Sequence, residues 1–111
     1  MEQIKVFTID IETAVESGFP DIRSANEEIL LITVKDLHKK TVMTFGYSPT
    51  GSLYNNHRDD VTYQAYTSEH ALLKDFMSWW QSNYPDIITG WNTDFFDVPY
   101  LINRLNRELG E

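Results

Sequence analysis

The spacing of apolar and polar residues predicts three strands, then a helix, a strand and a second helix. Residues 4–13 alternate, with apolar side chains on one face and two carboxylates, Asp10 and Glu12, near the end of the other. Residues 28–36 and 41–47 form two further strands joined by a short turn, which predicts a hairpin. Because the second strand contains four successive apolar residues, we expect it to be buried on both faces.

The apolar period then changes from two residues to that of a helix. Residues 67–85 predict a helix with Thr67 or Ser68 as its N-cap. The apolar stripe of this helix, which we assign to the core, consists of Leu72, Leu73, Phe76, Met77 and Trp80. Residues 86–90 predict a short buried strand, and residues 98–109 predict a second helix.

Two segments complete this order. Residues 48–60 predict a polar loop, and residues 61–66 predict a short extended piece. An antiparallel meander followed by a helical crossover to a parallel strand is an α/β arrangement, with a mixed sheet and helices on its faces. The pattern stops after the second helix, where a sheet of this kind usually continues.

Composition narrows the chemistry. The 111 residues fit one domain and contain no cysteine, which excludes disulfides and thiolate nucleophiles. Seventeen acidic residues against nine basic ones give a net charge of −8, so a nucleic-acid site would need metal ions to supply positive charge. The N-terminus does not resemble a signal peptide, and no apolar run has membrane-spanning length, so we expect a cytoplasmic protein without a membrane partner.

Three carboxylates are candidate metal ligands. Asp10 and Glu12 leave the same face of the first strand, and Asp97 lies at the turn before the second helix. If the strand at 86–90 neighbours the first strand, the three acids converge into an oxygen cage suited to Mg²⁺ or Mn²⁺. Two such ions about 3.5–4 Å apart support phosphodiester hydrolysis. The structural alternatives are a strand end that frays into solvent and an Asp97 that only caps the helix.

The segments "DIE" (10–12) and "NTDFFD" (92–97) resemble the first two exonuclease motifs of family B DNA polymerases. The wider run "TGWNTDFFDVPYLINR" and the "GFPD" at 18–21 resemble the phage-type replicative polymerases most. This resemblance implies a ribonuclease H-like fold and a proofreading 3′→5′ exonuclease that uses two Mg²⁺ or Mn²⁺ ions. The metal ligands it implies, and thereby the catalytic residues, are Asp10, Glu12 and Asp97. The residues it implies at the single-stranded 3′ end of DNA are Phe19, Asn92 and Phe96.

The third motif of that family, Tyr-x-x-x-Asp, is absent from the chain. The alternative His-x-x-x-x-Asp spacing occurs at His70 and Asp75, but it precedes the second motif. Five residues on a helix also place two side chains about 140° apart, so we reject this pair. We therefore expect the third motif beyond Glu111, which makes residues 1–111 a partial exonuclease domain that is inactive alone. The remainder of a polymerase chain, in a bacterial or phage-infected cell, is its expected partner.

Two other readings stay open. In the first, the chain is a non-catalytic nucleic-acid-binding or interaction module with the same fold. In the second, it is a self-contained ribonuclease H-like nuclease in which Glu16 or Asp94 completes the cage. A missing fifth strand would also leave the strand at 86–90 as an exposed edge, which favours self-association.

Overall fold

In the residues that it describes, the computed structural model contains one mixed sheet and two helices. The residues that it describes are 4–14, 25, 27–48, 56–58, 60–89 and 98–110. The strands are β1 (Val6–Thr13), β2 (Ile29–Asp36), β3 (Thr41–Tyr47), β4 (Asn56–Arg58), β5 (Val61–Tyr66) and β6 (Ile87–Thr89). The helices are α1 (Glu69–Asn83) and α2 (Val98–Leu109).

The strand order across the described sheet is β4-β5-β3-β2-β1-β6. The predicted meander is confirmed, since β1, β2 and β3 pair antiparallel in sequence, and β6 pairs parallel to β1 as expected. One detail was wrong, because the predicted loop at 48–60 contains β4. The extended piece predicted at 61–66 is confirmed as β5, which pairs parallel to β3. A three-residue strand is too short to show a period in the sequence, which explains the missed β4.

Alternation along β1 is confirmed. Phe7, Ile9 and Ile11 are 2%, 3% and 6% exposed, whereas Asp10 and Glu12 on the opposite face are exposed. Both described helices pack on the apolar face, where Phe7 stacks on Trp79 of α1 and Ile9 shares a cavity lining with α2. The expectation of helices on both faces is therefore corrected for the described residues.

The one-sided helical layer also corrects two burial predictions. In β2, Ile32 and Val34 are buried but Leu31, whose side chain lies on the other face, is only half-buried. In β6, Ile88 faces the helices and is half-buried, whereas Ile87 is 48% exposed. A strand that is covered on one side buries only alternate residues, whatever its apolar content.

Helix α1 begins and ends where its capping signals predict. The Ser68 side chain accepts a hydrogen bond from the Ala71 amide at 3.1 Å, so Ser68 is the N-cap. The helix ends at Asn83, because Tyr84 is already extended before Pro85. Its core stripe is confirmed, with three fully buried members and two that pack partly buried against them; the five are Leu72, Leu73, Phe76, Met77 and Trp80. Neither described helix is long and apolar enough to span a membrane.

Candidate metal centre

The two carboxylates of β1 lie side by side on the face of the sheet that no described helix covers. Asp10 is paired with Thr33 of β2 and Glu12 with Leu31, so their positions along the sheet are set by the β1–β2 ladder. A register irregularity follows between Glu12 and Thr13. Irregularities of this kind bend a strand and redirect side chains, and they are frequent beside active sites.

The parallel pairing of β6 with β1 is the feature on which convergence of the acids depends. Thr89 pairs with Thr8, which lies two residues before Asp10. Since the pairing is parallel, both strands run towards the same end of the sheet. The chain then passes through 90–97 and enters α2 at Val98. The expectation that the strand at 86–90 lies beside the first strand is therefore confirmed.

Several predicted site residues lie outside the described part of the chain. These are Phe19, Asn92, Phe96 and Asp97, together with the alternative ligands Glu16 and Asp94. Within the described residues, no group of three His, Cys, Asp or Glu side chains is placed to hold a metal ion. The structure thus brings Asp10 and Glu12 together and leaves the third carboxylate a prediction.

The donor chemistry of the described pair suits a hard divalent cation. Asp10 and Glu12 supply only carboxylate oxygens, and within the described residues neither forms an ion pair. Two adjacent negative charges without a cation repel each other, and a divalent ion removes that repulsion. The residues present therefore fit Mg²⁺ or Mn²⁺, although the site needs further ligands for a full coordination shell.

A surface cavity of about 570 Å³ opens in front of these acids. Its lining includes Asp10, Glu12, Thr33 and, on the neighbouring strand, Lys35. Lys35 is exposed and pairs with Thr8, so a cation lies on the same face two positions before Asp10. Sequence reasoning missed Lys35, because the strand pairing that brings it beside Asp10 cannot be read from either strand alone.

A second group of polar side chains is buried between the helices. Glu69 at the first turn of α1 and Arg104 of α2 are 6% and 4% exposed, and two hydrogen bonds of 2.8 and 2.6 Å join them. The hydrogen bonds from Arg104 to Glu69 raise the pKa of the guanidinium, in spite of its burial. Sequence reasoning missed this pair. The available signal that Arg104 faces the core was Tyr100, which lies four residues before Arg104 and therefore on the same face of α2.

The rejected His70–Asp75 pair is confirmed as unsuitable. Both residues are exposed on α1, and the Asp75 carboxylate accepts a 2.7 Å hydrogen bond from the Tyr66 hydroxyl. Asp75 therefore has a structural partner on β5.

Comparison with known proteins assigns the family. Residues 2–110 match the family model described as DNA polymerase family B, exonuclease domain. The DNA-directed DNA polymerase of Escherichia phage RB69 is 29% identical over 130 aligned positions, which cover 98% of the chain and 14% of the phage protein. The corresponding protein of Enterobacteria phage T4 is 42% identical over 53 positions, covering 48% of the chain and 6% of the phage protein.

A viral relative extends the similarity beyond phages. The DNA polymerase catalytic subunit of human cytomegalovirus strain AD169 is 32% identical over 96 positions, which cover 84% of the chain and 7% of that protein. The chain thus spans at most 14% of the length of these three relatives. With its mixed sheet, its paired carboxylates on β1 and a family match across nearly all of its length, the chain belongs to the exonuclease domain family of the family B DNA polymerases.

Proposed function

We propose that this chain contributes the metal-binding carboxylates of a proofreading exonuclease, which removes nucleotides from single-stranded 3′ ends of DNA. The observation that supports the proposal is the parallel pairing of β1 with β6. Because the two strands run in the same direction and Thr89 pairs with Thr8, the segment that ends in Asp97 follows a residue that is paired two positions before Asp10. That arrangement is what a carboxylate site for phosphodiester hydrolysis needs.

In this proposal Asp10, Glu12 and Asp97 hold Mg²⁺ or Mn²⁺. The bound ions supply an activated water and stabilise the leaving oxygen. The three carboxylates orient the ions. Because the chain has a net charge of −8, attraction of the DNA phosphates depends on these ions and on Lys35.

The proposed contacts with the 3′ end come from Phe19, Phe96 and Asn92. Aromatic rings stack on bases of any sequence, and an amide offers hydrogen bonds to a strand end. Sequence-independent binding is what proofreading requires, since a mispaired end of any sequence has to be accepted.

We further propose that residues 1–111 are one part of an exonuclease domain within a polymerase, acting in the cytoplasm of a bacterial or phage-infected cell. The third motif is absent from these residues, and with it a further carboxylate and a tyrosine. We therefore expect the 111-residue chain alone to show no 3′→5′ activity with Mg²⁺. Clear Mg²⁺-dependent release of nucleotides by the pure chain would contradict this expectation.

The test of the metal site is a calorimetric Mn²⁺ titration of the chain and its Asp10→Ala variant. We expect saturable binding that is lost in the variant. A matched control is Asp60→Ala, which removes an exposed acid from the turn before β5 and should leave binding unchanged. Equal Mn²⁺ binding by Asp10→Ala and the parent chain would reject the metal site. Absence of binding in both would mean either that the carboxylate of the third motif is needed to hold metal or that the three acids do not converge, and the same titration of a chain extended past Glu111 would decide between these two explanations.

We also propose self-association through β6. This strand pairs with β1 on one side, its other side is an edge of the described sheet, and Ile87 is 48% exposed there. Unpaired strand edges recruit other strands, and a lysine on the edge prevents it. Sedimentation should show a concentration-dependent dimer that Ile87→Lys abolishes. A chain that stays monomeric at all concentrations would exclude the proposal.

A further inference from the structure

We infer that the buried Glu69–Arg104 pair is a positioning device. It holds the start of α2, and with it Asp97, in a fixed relation to the segment that leads into β2. The inference rests on the proposed function only in assigning Asp97 to the metal site. The geometric part, that this pair determines where α2 lies, stands on the described residues alone.

The pair joins three parts of the chain. Arg104 donates from Nε and one terminal nitrogen to the two Glu69 carboxylate oxygens, and from its other terminal nitrogen to the Ala25 carbonyl at 2.8 Å. Glu69 in turn accepts a 2.9 Å hydrogen bond from the Ile29 amide. The guanidinium is planar and its donors are fixed in direction, so these bonds determine the orientation of α2 as well as its distance from α1.

Tyr100 adds a parallel connection one helical turn before Arg104. Its hydroxyl donates to the Glu27 carbonyl at 2.7 Å and accepts from the Glu27 amide at 3.0 Å. Two side chains of α2, from the same face of the helix, thus bind one short segment at 25–29. Ala25 within that segment is fully buried and has a φ of 45°, a left-handed conformation that non-glycine residues rarely adopt. A conformation of this kind persists only where the surroundings hold it in place.

Apolar contacts of α2 carry little directional information. They border a pocket of about 240 Å³ between the two helices and β6, whose lining includes Phe76, Ile88, Val98 and Leu101. Non-directional contacts of this kind alone do not define one position of α2. The directional hydrogen bonds of Arg104 and Tyr100 supply that definition.

Stability is a poor explanation for the pair. Two buried charges lose their hydration, and replacing such a pair with apolar residues of similar size is often neutral or stabilising. What the ion pair provides and an apolar pair does not is fixed geometry. The pair acts through α2 on the residue that immediately precedes Val98, so Glu69 and Arg104 are positioning residues and not catalytic ones.

The test uses Glu69→Gln with Arg104→Met. This double variant keeps an acceptor for the Ile29 amide and the apolar stem of the arginine, and it leaves no unpaired charge. Because the chain contains no cysteine, spin labels can be placed selectively at His38→Cys and Asn106→Cys, two exposed positions. We expect a broader distribution of label-to-label distances in the double variant than in the parent chain. We also expect Mn²⁺ affinity to fall about 10–100-fold, as for other residues that orient metal ligands.

The controls separate positioning from general stability. Phe45→Leu removes volume from the core on β3 and should lower the melting temperature without changing the distance distribution or Mn²⁺ affinity. Arg104→Lys keeps the charge but loses the planar fork, so it should broaden the distribution less than the double variant.

Each outcome decides a different statement. An unchanged distance distribution in the double variant would overturn the inference. A broader distribution with unchanged Mn²⁺ affinity would overturn its link to the metal site. If the parent chain binds no Mn²⁺ while the distribution still broadens, the failure belongs to the proposed metal site, and the assignment of the pair as the determinant of α2 is supported.

Discussion

Two carboxylate sites in this chain differ in every physical respect except the functional group. Asp10 and Glu12 are exposed, adjacent and without an ion-pair partner among the described residues. Glu69 is 6% exposed and receives hydrogen bonds from Arg104 and from a backbone amide. An acid that already has a cation and a full set of donors has little to offer a metal ion. Adjacent acids with neither are available to one.

This difference shows that the surroundings of a carboxylate decide its role. Burying an acid costs free energy unless a partner compensates, so Glu69 is committed to holding α1, α2 and the 25–29 segment together. Leaving Asp10 and Glu12 in solvent costs little and keeps their oxygens accessible. Substitutions of Asp10 and Glu12 should therefore affect metal binding with little change in stability, whereas a single substitution at Glu69 should lower stability.

The largest expected effect on stability comes from breaking the buried pair on one side only. Glu69→Ala removes the closer ion partner of the buried Arg104 guanidinium and leaves it only Glu108 at 3.7 Å, which should lower the free energy of unfolding by about 3–5 kcal/mol. Asp10→Ala should change it by less than about 0.5 kcal/mol, because an exposed acid with a like-charged neighbour contributes little. Urea denaturation followed by circular dichroism measures both. Comparable losses in the two variants would contradict the distinction between the sites.

A smaller effect is expected at the second connection of α2. Tyr100→Phe removes the hydroxyl that pairs with both backbone groups of Glu27, so the free energy of unfolding should fall by about 1–3 kcal/mol. The same substitution at Tyr84, which is 66% exposed, serves as the control and should have almost no effect. If the two variants unfold at the same urea concentration, the Tyr100 hydroxyl does not hold the 25–29 segment.

The N-cap of α1 tests how much of the Glu69 effect comes from the helix end itself. Ser68→Ala removes the acceptor for the Ala71 amide and should cost about 1 kcal/mol. Ser82→Ala, an exposed change in the last turn of the same helix, should be neutral or slightly stabilising. A loss for Ser68→Ala as large as that for Glu69→Ala would assign the stability to capping and not to the ion pair.

Asp75 is intermediate between the two carboxylate sites, since it is exposed but accepts a hydrogen bond from Tyr66. Substitution of Tyr66 gives the smallest expected effect on stability. Burial and then the Asp75 hydrogen bond raise the pKa of Tyr66 above its ordinary value of 10.0. A raised pKa in the folded state means that the stabilisation is complete below pH 10 and declines as the pH rises towards the folded-state pKa. The melting temperature should therefore fall as the pH rises above about 10, and less steeply in Tyr66→Phe. An identical slope in both proteins would remove Tyr66 as a cause.

Most of the secondary structure was predictable because the signals are local. The alternation of β1, the turn between β2 and β3 and the apolar stripe of α1 each lie within one element, and the structure confirms all three. The two acids of β1 were predictable for the same reason, since residues two apart on a strand always share a face. The sequence offered no prediction for the strand that pairs with β5, and the layer of helices on one side only was not predicted, because both depend on contacts between elements distant in sequence.

The sequence by itself determined most of the elements other than β4, which face of β1 is apolar, and that Asp10 and Glu12 project together, because these follow from the backbone geometry of single elements. Only the tertiary structure decided that β6 lies parallel beside β1 and that Lys35 shares a cavity with the acids. The tertiary structure also decided that Glu69 and Arg104, 35 residues apart, form one buried pair. The physical reason is that burial and pairing depend on which elements pack together, and that choice belongs to the whole fold.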